Sequence, residues 1–286
     1  MRMIKKIQGF IELTRLDKPI GIYLLFWPSF LGLLLGGLNS GYIEYKNYLI
    51  LAIGSVLVRS CGCIINDIND YKFDRLVSRT KGRPLASGKI NISEAWVYFI
   101  VLAALSMILL IFVPPFTVFV SLIVGVFIMV YPLTKRFLKA PQFFLGITFG
   151  SGTIISYSLA SSDLSISIIA LFIGTVMWII SFDTIYAFED IEDDVKIGIN
   201  STPILWGDKA LSISNYLHLA FYTSLAFIGY INQFSLLYIV ILIVLFGLYI
   251  YQKKLINNKQ YLDAFKFNHW IGVISAMGFI VEIFLV

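Results

Sequence analysis

Asn66-Asp67-Ile68-Asn69-Asp70-Tyr71-Lys72-Phe73-Asp74 closes one of the most apolar segments of a very apolar chain. Asn66, Asp70 and Asp74 recur every four residues, so on a helix a carboxamide and two carboxylates share one face, a turn apart. Like charges at that spacing repel and give a bare helix nothing. Something positive belongs over this face. The bland alternative is a solvated helix end just outside a membrane, but ionisable groups this close to a span are usually functional.

The rest of the chain supplies that membrane. Of 286 residues, 58% are hydrophobic and 14% charged, and the mean hydropathy is +0.85. That composition excludes a soluble domain and marks a helical integral membrane protein. A transmembrane barrel would show short alternating segments in place of these long continuous apolar runs. The net charge of +5 is no nucleic-acid signal, because the basic residues form short clusters next to the apolar runs. Cys61 and Cys63 sit inside one such run with no His or Cys nearby, and read as small apolar filler. Residues 1–15 are basic, with no small-residue cleavage site after a short apolar core and no Arg- and Ser-rich transit pattern. The first apolar run is therefore expected to stay in the membrane.

About nine spans are expected, near residues 20–38, 48–65, 95–113, 116–131, 141–160, 165–181, 211–230, 234–251 and 270–286. Pro114-Pro115 separates the third from the fourth, since proline cannot continue the hydrogen-bond ladder. Of the 22 Lys and Arg, only Lys46 falls in an outer connection and only Arg59 within a span; all others fall on alternate loops. The positive-inside rule then puts the N-terminus in the cytoplasm and the C-terminus outside. The loops after the second and sixth spans share the cytoplasmic face.

The loop after the sixth span carries a second acidic stretch. Asp183, Tyr186, Asp190 and Asp194 follow i, i+3, i+7, i+11, which is one helical face, with Glu189, Glu192 and Asp193 beside them. Two carboxylate pairs facing each other would repel strongly in a low-dielectric site, and hard divalent cations remove the difficulty. Mg2+ takes a few carboxylates and completes its octahedron with water and phosphate oxygens. His218 and His269 are isolated, so no softer metal competes. Two Mg2+ ions bridging the acids to a diphosphate is the favoured reading, and cation transport is its non-enzymatic rival. Basic side chains follow the first acidic face directly, at Arg75, Arg79, Lys81 and Arg83, and Lys135-Arg136 come from another loop on the same side. A diphosphate leaving group needs such donors, and a cation pathway does not.

At this point the chain resembles a known family, the UbiA superfamily of intramembrane aromatic prenyltransferases. Its signature N-D-x-x-D-x-x-x-D matches Asn66 to Asp74. Its second, D-x-x-Y-A-x-x-D-x-x-x-D, matches Asp183, Tyr186, Ala187, Asp190 and Asp194. Residues 79–88 and Tyr131-Pro132-Leu133-Thr134-Lys135-Arg136 also look like the family's linking segments. Within it, residues 14–21 with Phe26-Trp27-Pro28, and residues 193–202, are most similar to the 4-hydroxybenzoate polyprenyltransferase branch of ubiquinone synthesis.

The resemblance implies one domain over residues 1–286: an all-α bundle of about nine transmembrane helices around a central cavity, capped on the cytoplasmic side; the missing transit pattern favours a bacterial inner membrane. It implies Mg2+ on Asn66, Asp70, Asp74, Asp190 and Asp194, with no protein partner required. Arg75, Arg79, Lys81, Arg83, Lys135 and Arg136 are then candidate donors to the diphosphate of a polyprenyl substrate whose tail leaves towards lipid. Tyr186 would shield the allylic cation through its ring face. Asp190 or Asp183 would hold the phenol of 4-hydroxybenzoate, and Arg15 its carboxylate. Rival readings are another acceptor within the superfamily (naphthoate, homogentisate, haem or a chlorophyllide), a cation-coupled transporter, or a phosphatidyl-alcohol transferase, whose acids would fall in one motif.

Overall fold

A computed structural model describes residues 2–77 and 79–285. Its elements are α1 (Arg2–Thr14), α2 (Ile20–Ser40), α3 (Tyr45–Asp74), α4 (Ile92–Leu109), α5 (Pro115–Thr134), α6 (Pro141–Tyr157), α7 (Ile166–Ala187), α8 (Ile191–Ile197), α9 (Thr202–Trp206), α10 (Ala210–Ile231), α11 (Leu236–Asn257) and α12 (Tyr261–Leu285). Among the described residues there is no strand.

Seven segments are long and apolar enough to cross a membrane: α2, α3, α4 with the 3₁₀ turn that extends it to Phe112, α5, α7, α11 and α12. The segments of the other two expected spans are helical but not among these seven: α6 has only 17 residues, and α10 carries Ser212, Ser214, Asn215 and His218 near its start. The expected break at the proline pair holds: Val113 is extended, and Pro115 occupies the first turn of α5, where a missing N–H is harmless. The ninth expected segment ended at Val286, outside the described residues; α12 starts nine residues earlier than expected, at Tyr261.

One side of the bundle is packed on glycine. A Cβ at Gly32 would meet the Thr153 carbonyl, at Gly36 the Tyr157 carbonyl, and at Gly150 the Val176 side chain, so α2, α6 and α7 approach closely enough to exclude any larger residue. The Trp178 ring stacks on Phe221 at 4.6 Å, and its Nε1 donates to Asn268 Oδ1 at 2.8 Å, tying α7 to α10 and α12. In α2 and α7, 61% of the apolar window is buried; in α4 it is 11% and in α5 17%. Although joined by a two-residue link, α4 and α5 barely touch each other; α4 leans on α3, and α5 on α3 and α6. Cys61 and Cys63 are buried free thiols of α3.

All the acidic motif residues gather at one end of this bundle. The segment between α3 and α4 folds over that end. It is held by Thr80 Oγ1 donating to the Asp74 carbonyl at 3.1 Å and by a reciprocal Asn91–Glu94 cap at the start of α4.

Candidate active site

The helix α3 runs without a break to Asp74, so Asn66, Asp70 and Asp74 do share a face, as their spacing requires. Cations from two other segments meet the two carboxylates. Arg83 Nη1 donates to both oxygens of Asp74, at 2.9 and 3.1 Å. Lys135 Nζ and Arg136 Nη2, from just beyond α5, stand 3.9 and 3.8 Å from the Asp70 carboxylate. Asp67, one step round the helix, is buried and takes Arg15 Nη2 on both oxygens at 2.9 Å, with Arg83 at 3.3 Å.

The second acidic stretch does not form the continuous face expected of it. The helix α7 stops at Ala187; Asp190 stands just before α8 and Asp194 lies within it. Five acids in six residues explain the break. At a helix C-terminus they oppose the macrodipole, whereas Glu192, Asp193 and Asp194 occupy the first turn of α8, where it favours them. Arg79 grips the result. Its Nε and Nη2 both bond the Asp190 carboxylate, its Nη1 donates to Tyr186 Oη at 2.8 Å, and its guanidinium lies 5.4 Å above the Tyr186 ring. Burial alone would lower the Arg79 pKa, but these bonds outweigh it and raise it. Asp194 has no ion pair among the described residues. Burial pushes its carboxyl up to about 6, against the pull of Lys135 and with a further push from Asp190.

As the side chains stand, no three Asp, Glu, His or Cys among the described residues are close enough to hold a metal ion. Each of Asp70, Asp74 and Asp190 instead carries a cation of the chain itself. A divalent ion would have to displace them.

Beneath this end lies a cavity of about 1570 Å3, reached by Asn66, Arg79, Arg83, Lys135, Tyr186, Asp190 and Asp194. Three of the expected donors, Arg75, Lys81 and Arg136, do not line it, and Arg136 donates to the Asn69 carbonyl at 2.9 Å. Arg75 turns its Nε to the Ala86 carbonyl and lies over the Tyr71 ring, and Lys81 is exposed. Arg15 reaches the cavity but is committed to Asp67. Asp183 faces the cavity with no hydrogen bond or ion pair among the described residues.

Sequence reasoning passed over Arg59. It lines the cavity from within α3, its guanidinium is 5.8 Å from the Phe149 ring centre, and its buried Nε has no partner. The signal was there: Arg59 precedes Asn66 by seven residues, two turns along the same face. An intramembrane arginine that lines a cavity with no carboxylate in ion-pair reach among the described residues points to an anionic ligand.

The UbiA prenyltransferase family matches residues 25–272. The chain is 37% identical over 284 residues to a 4-hydroxybenzoate octaprenyltransferase of Pseudomonas aeruginosa, covering 98% of this chain and 95% of that one. With a protein of the same description from Colwellia psychrerythraea it shares 36% over 287 residues, covering 98% and 99%. Among solved structures, a UbiA homologue of Aeropyrum pernix superposes with a TM-score of 0.78 at 25% identity, over 91% of this chain and 97% of the other. A UbiA homologue of Archaeoglobus fulgidus bound to GPP and Mg2+ superposes with a TM-score of 0.71 at 20% identity, over 97% and 98%, which speaks for the fold.

Proposed function

The chain belongs to the UbiA prenyltransferase family, and from that premise we propose that it prenylates 4-hydroxybenzoate. It would move a polyprenyl group from an allylic polyprenyl diphosphate to the ring carbon ortho to the hydroxyl, and release diphosphate. The observation that carries this reading is that both acidic stretches reach one cavity, Asn66 and Asp67 from the first and Asp183, Asp190 and Asp194 from the second, together with Arg79, Arg83 and Lys135. Full-length similarity to 4-hydroxybenzoate octaprenyltransferases supports the choice of acceptor. The proposal extends to one domain over residues 1–286 with nine crossing helices, α6 and α10 included. It places the acidic end in the cytoplasm of a bacterial cell and the bundle in its inner membrane.

Asn66, Asp70, Asp74, Asp190 and Asp194 fit Mg2+, since all offer hard oxygen donors. Asp194 fits best of all, being a half-buried carboxylate that lacks a cation. Bound there, Mg2+ would neutralise the diphosphate and stabilise the charge that builds on it as it leaves. Arg79, Arg83, Lys135 and Arg136, freed from the acids, become donors to phosphate oxygens. The allylic C–O bond breaks, and the cation left on the prenyl carbon meets the Tyr186 ring, itself 4.6 Å from that of Phe265. A ring carbon of the acceptor forms the new C–C bond and loses its proton. Of the two candidate acids, Asp183 suits the phenol better, because Asp190 is held by Arg79. Arg15 is likewise engaged, so we give the acceptor carboxylate to Arg59.

The test is to incubate membranes containing the protein with Mg2+, a polyprenyl diphosphate and a panel of aromatic acids. Prenylated 4-hydroxybenzoate is the expected product. Prenylation of a different acid in its place would overturn the acceptor, and cation flux into sealed vesicles without any prenylated product would overturn the reaction.

A further inference from the structure

The carboxylates at the acidic end are of two kinds. Asp70, Asp74 and Asp190 hold chain cations and are also the groups given to metal, so on loading each must release its cation. Asp67 is outside that set. It is 1% exposed, with Arg15 on both oxygens and Arg83 at 3.3 Å. Arg83 is shared, because the same Nη1 reaches Asp74. Arg15 stands at φ 61°, a conformation few non-glycine residues adopt, and its Nη1 donates to the Glu12 carbonyl in the last turns of α1. That corner aims its Nη2 at Asp67.

We propose that Asp67 is a positioning residue, the anchor that keeps Arg83 directed at the diphosphate once Asp74 has gone to the metal. Both guanidiniums stay charged. Two arginines and one aspartate therefore leave a single net positive charge at a fixed place on the cavity wall. A donor held in place before the substrate arrives needs no rearrangement as charge develops on the leaving group. Without Asp67, an Arg83 released by Asp74 would have no partner to hold it. The double pairing also accounts for the burial of Asp67, since a carboxylate that deep requires compensation.

This inference rests on the reading of the site as one for metal-bound diphosphate, and the experiment separates the two. Full-length protein in lipid nanodiscs is titrated with Mg2+-pyrophosphate by calorimetry. Turnover of a short allylic diphosphate is followed at varied donor and varied Mg2+. The variants are Asp67→Asn, Arg83→Met, their combination, and Arg15→Met/Asp67→Asn, which removes a buried pair together and leaves no lone charge. Each should weaken pyrophosphate binding and raise the donor KM about tenfold; where Arg83 is kept, Mg2+ half-saturation moves by under about twofold, as for loss of a supporting partner, and in the Arg83→Met proteins it falls, because the internal rival for Asp74 is gone. Combining Asp67→Asn with Arg83→Met should add nothing to either alone in pyrophosphate binding or donor KM. Mg2+ half-saturation rising tenfold in Asp67→Asn would make Asp67 a ligand and overturn the proposal. So would normal pyrophosphate binding in Arg83→Met, which keeps the Arg15–Asp67 pair and needs neither aspartate variant to fold. Failure of the unsubstituted protein to bind Mg2+-pyrophosphate would instead strike at the functional reading.

Discussion

The two acidic stretches meet the same cavity on different backbones. Asn66 to Asp74 ride the end of one unbroken 30-residue helix, and their cations arrive from three separate segments. Asp183 to Asp194 are divided by a helix end, so Asp183 is fixed in α7 while Asp190 and Asp194 belong to a turn and a seven-residue helix. A single arginine, Arg79, secures the second stretch, through Asp190 and Tyr186 together. The first stretch is a continuous wall; the second is a wall in two pieces.

The largest effect tests whether the walls are equal partners. Asp70→Ala and Asp190→Ala should each lower kcat/KM about a thousandfold, the scale of losing a group that stabilises transition-state charge. Both proteins should remain folded in the membrane, as a thermal-unfolding measurement beside the prenylation assay would show. If Asp190→Ala kept normal turnover, the second wall would have no share in the chemistry. Next is Arg79→Met, expected to raise the donor KM about tenfold for the lost phosphate donor. It should also lower the Mg2+ needed for half activity, because the internal rival for Asp190 is gone. A higher Mg2+ requirement would show that Arg79 is no stand-in for metal.

A smaller effect comes from Asp194. Its carboxyl, pushed up to about 6 without metal, is mostly protonated below that pH, and a proton then competes with the cation. Between pH 7.5 and 5.5 the Mg2+ requirement should rise about fourfold by this competition, and Asp194→Asn should flatten the trend. Least affected should be Arg75→Ala and Lys81→Ala, each under about twofold in kcat/KM, since exposed charges away from a site contribute little. A large loss in either would mean that the segment over the acidic end closes differently with substrate bound.

Much of this was legible in the residues. Apolar run length marked the segments that became α2, α3, α4, α5, α7, α11 and α12, and four-residue spacing put Asn66, Asp70 and Asp74 on one face. The break after Ala187 was not read, because spacing alone extends a helix, whereas five crowded acids at its C-terminal end favour restarting it. The contacts of Arg15, Arg75 and Lys81 could not be read either. Loop composition reports which side of the membrane a cation occupies, not which way it turns. Asp67 and Arg59 were passed over for opposite reasons. One was hidden by the more regular acids beside it, and the other was set aside as an exception to the charge rule.

The length of α3 has a consequence for how such a reaction is supplied. Thirty residues at 1.5 Å each make a rod of roughly 45 Å, against a hydrocarbon layer of about 30 Å. With Tyr45 at the far surface and the rod upright, Asn66 would emerge near the boundary of the oil and Asp70 would stand roughly 8 Å above it, at the height of the lipid headgroups. A diphosphate carried on a prenyl tail already floats at that height. On the proposed reading it would drift sideways into the clamp without being lifted from the bilayer, and a small aromatic acid would settle onto it from the water above.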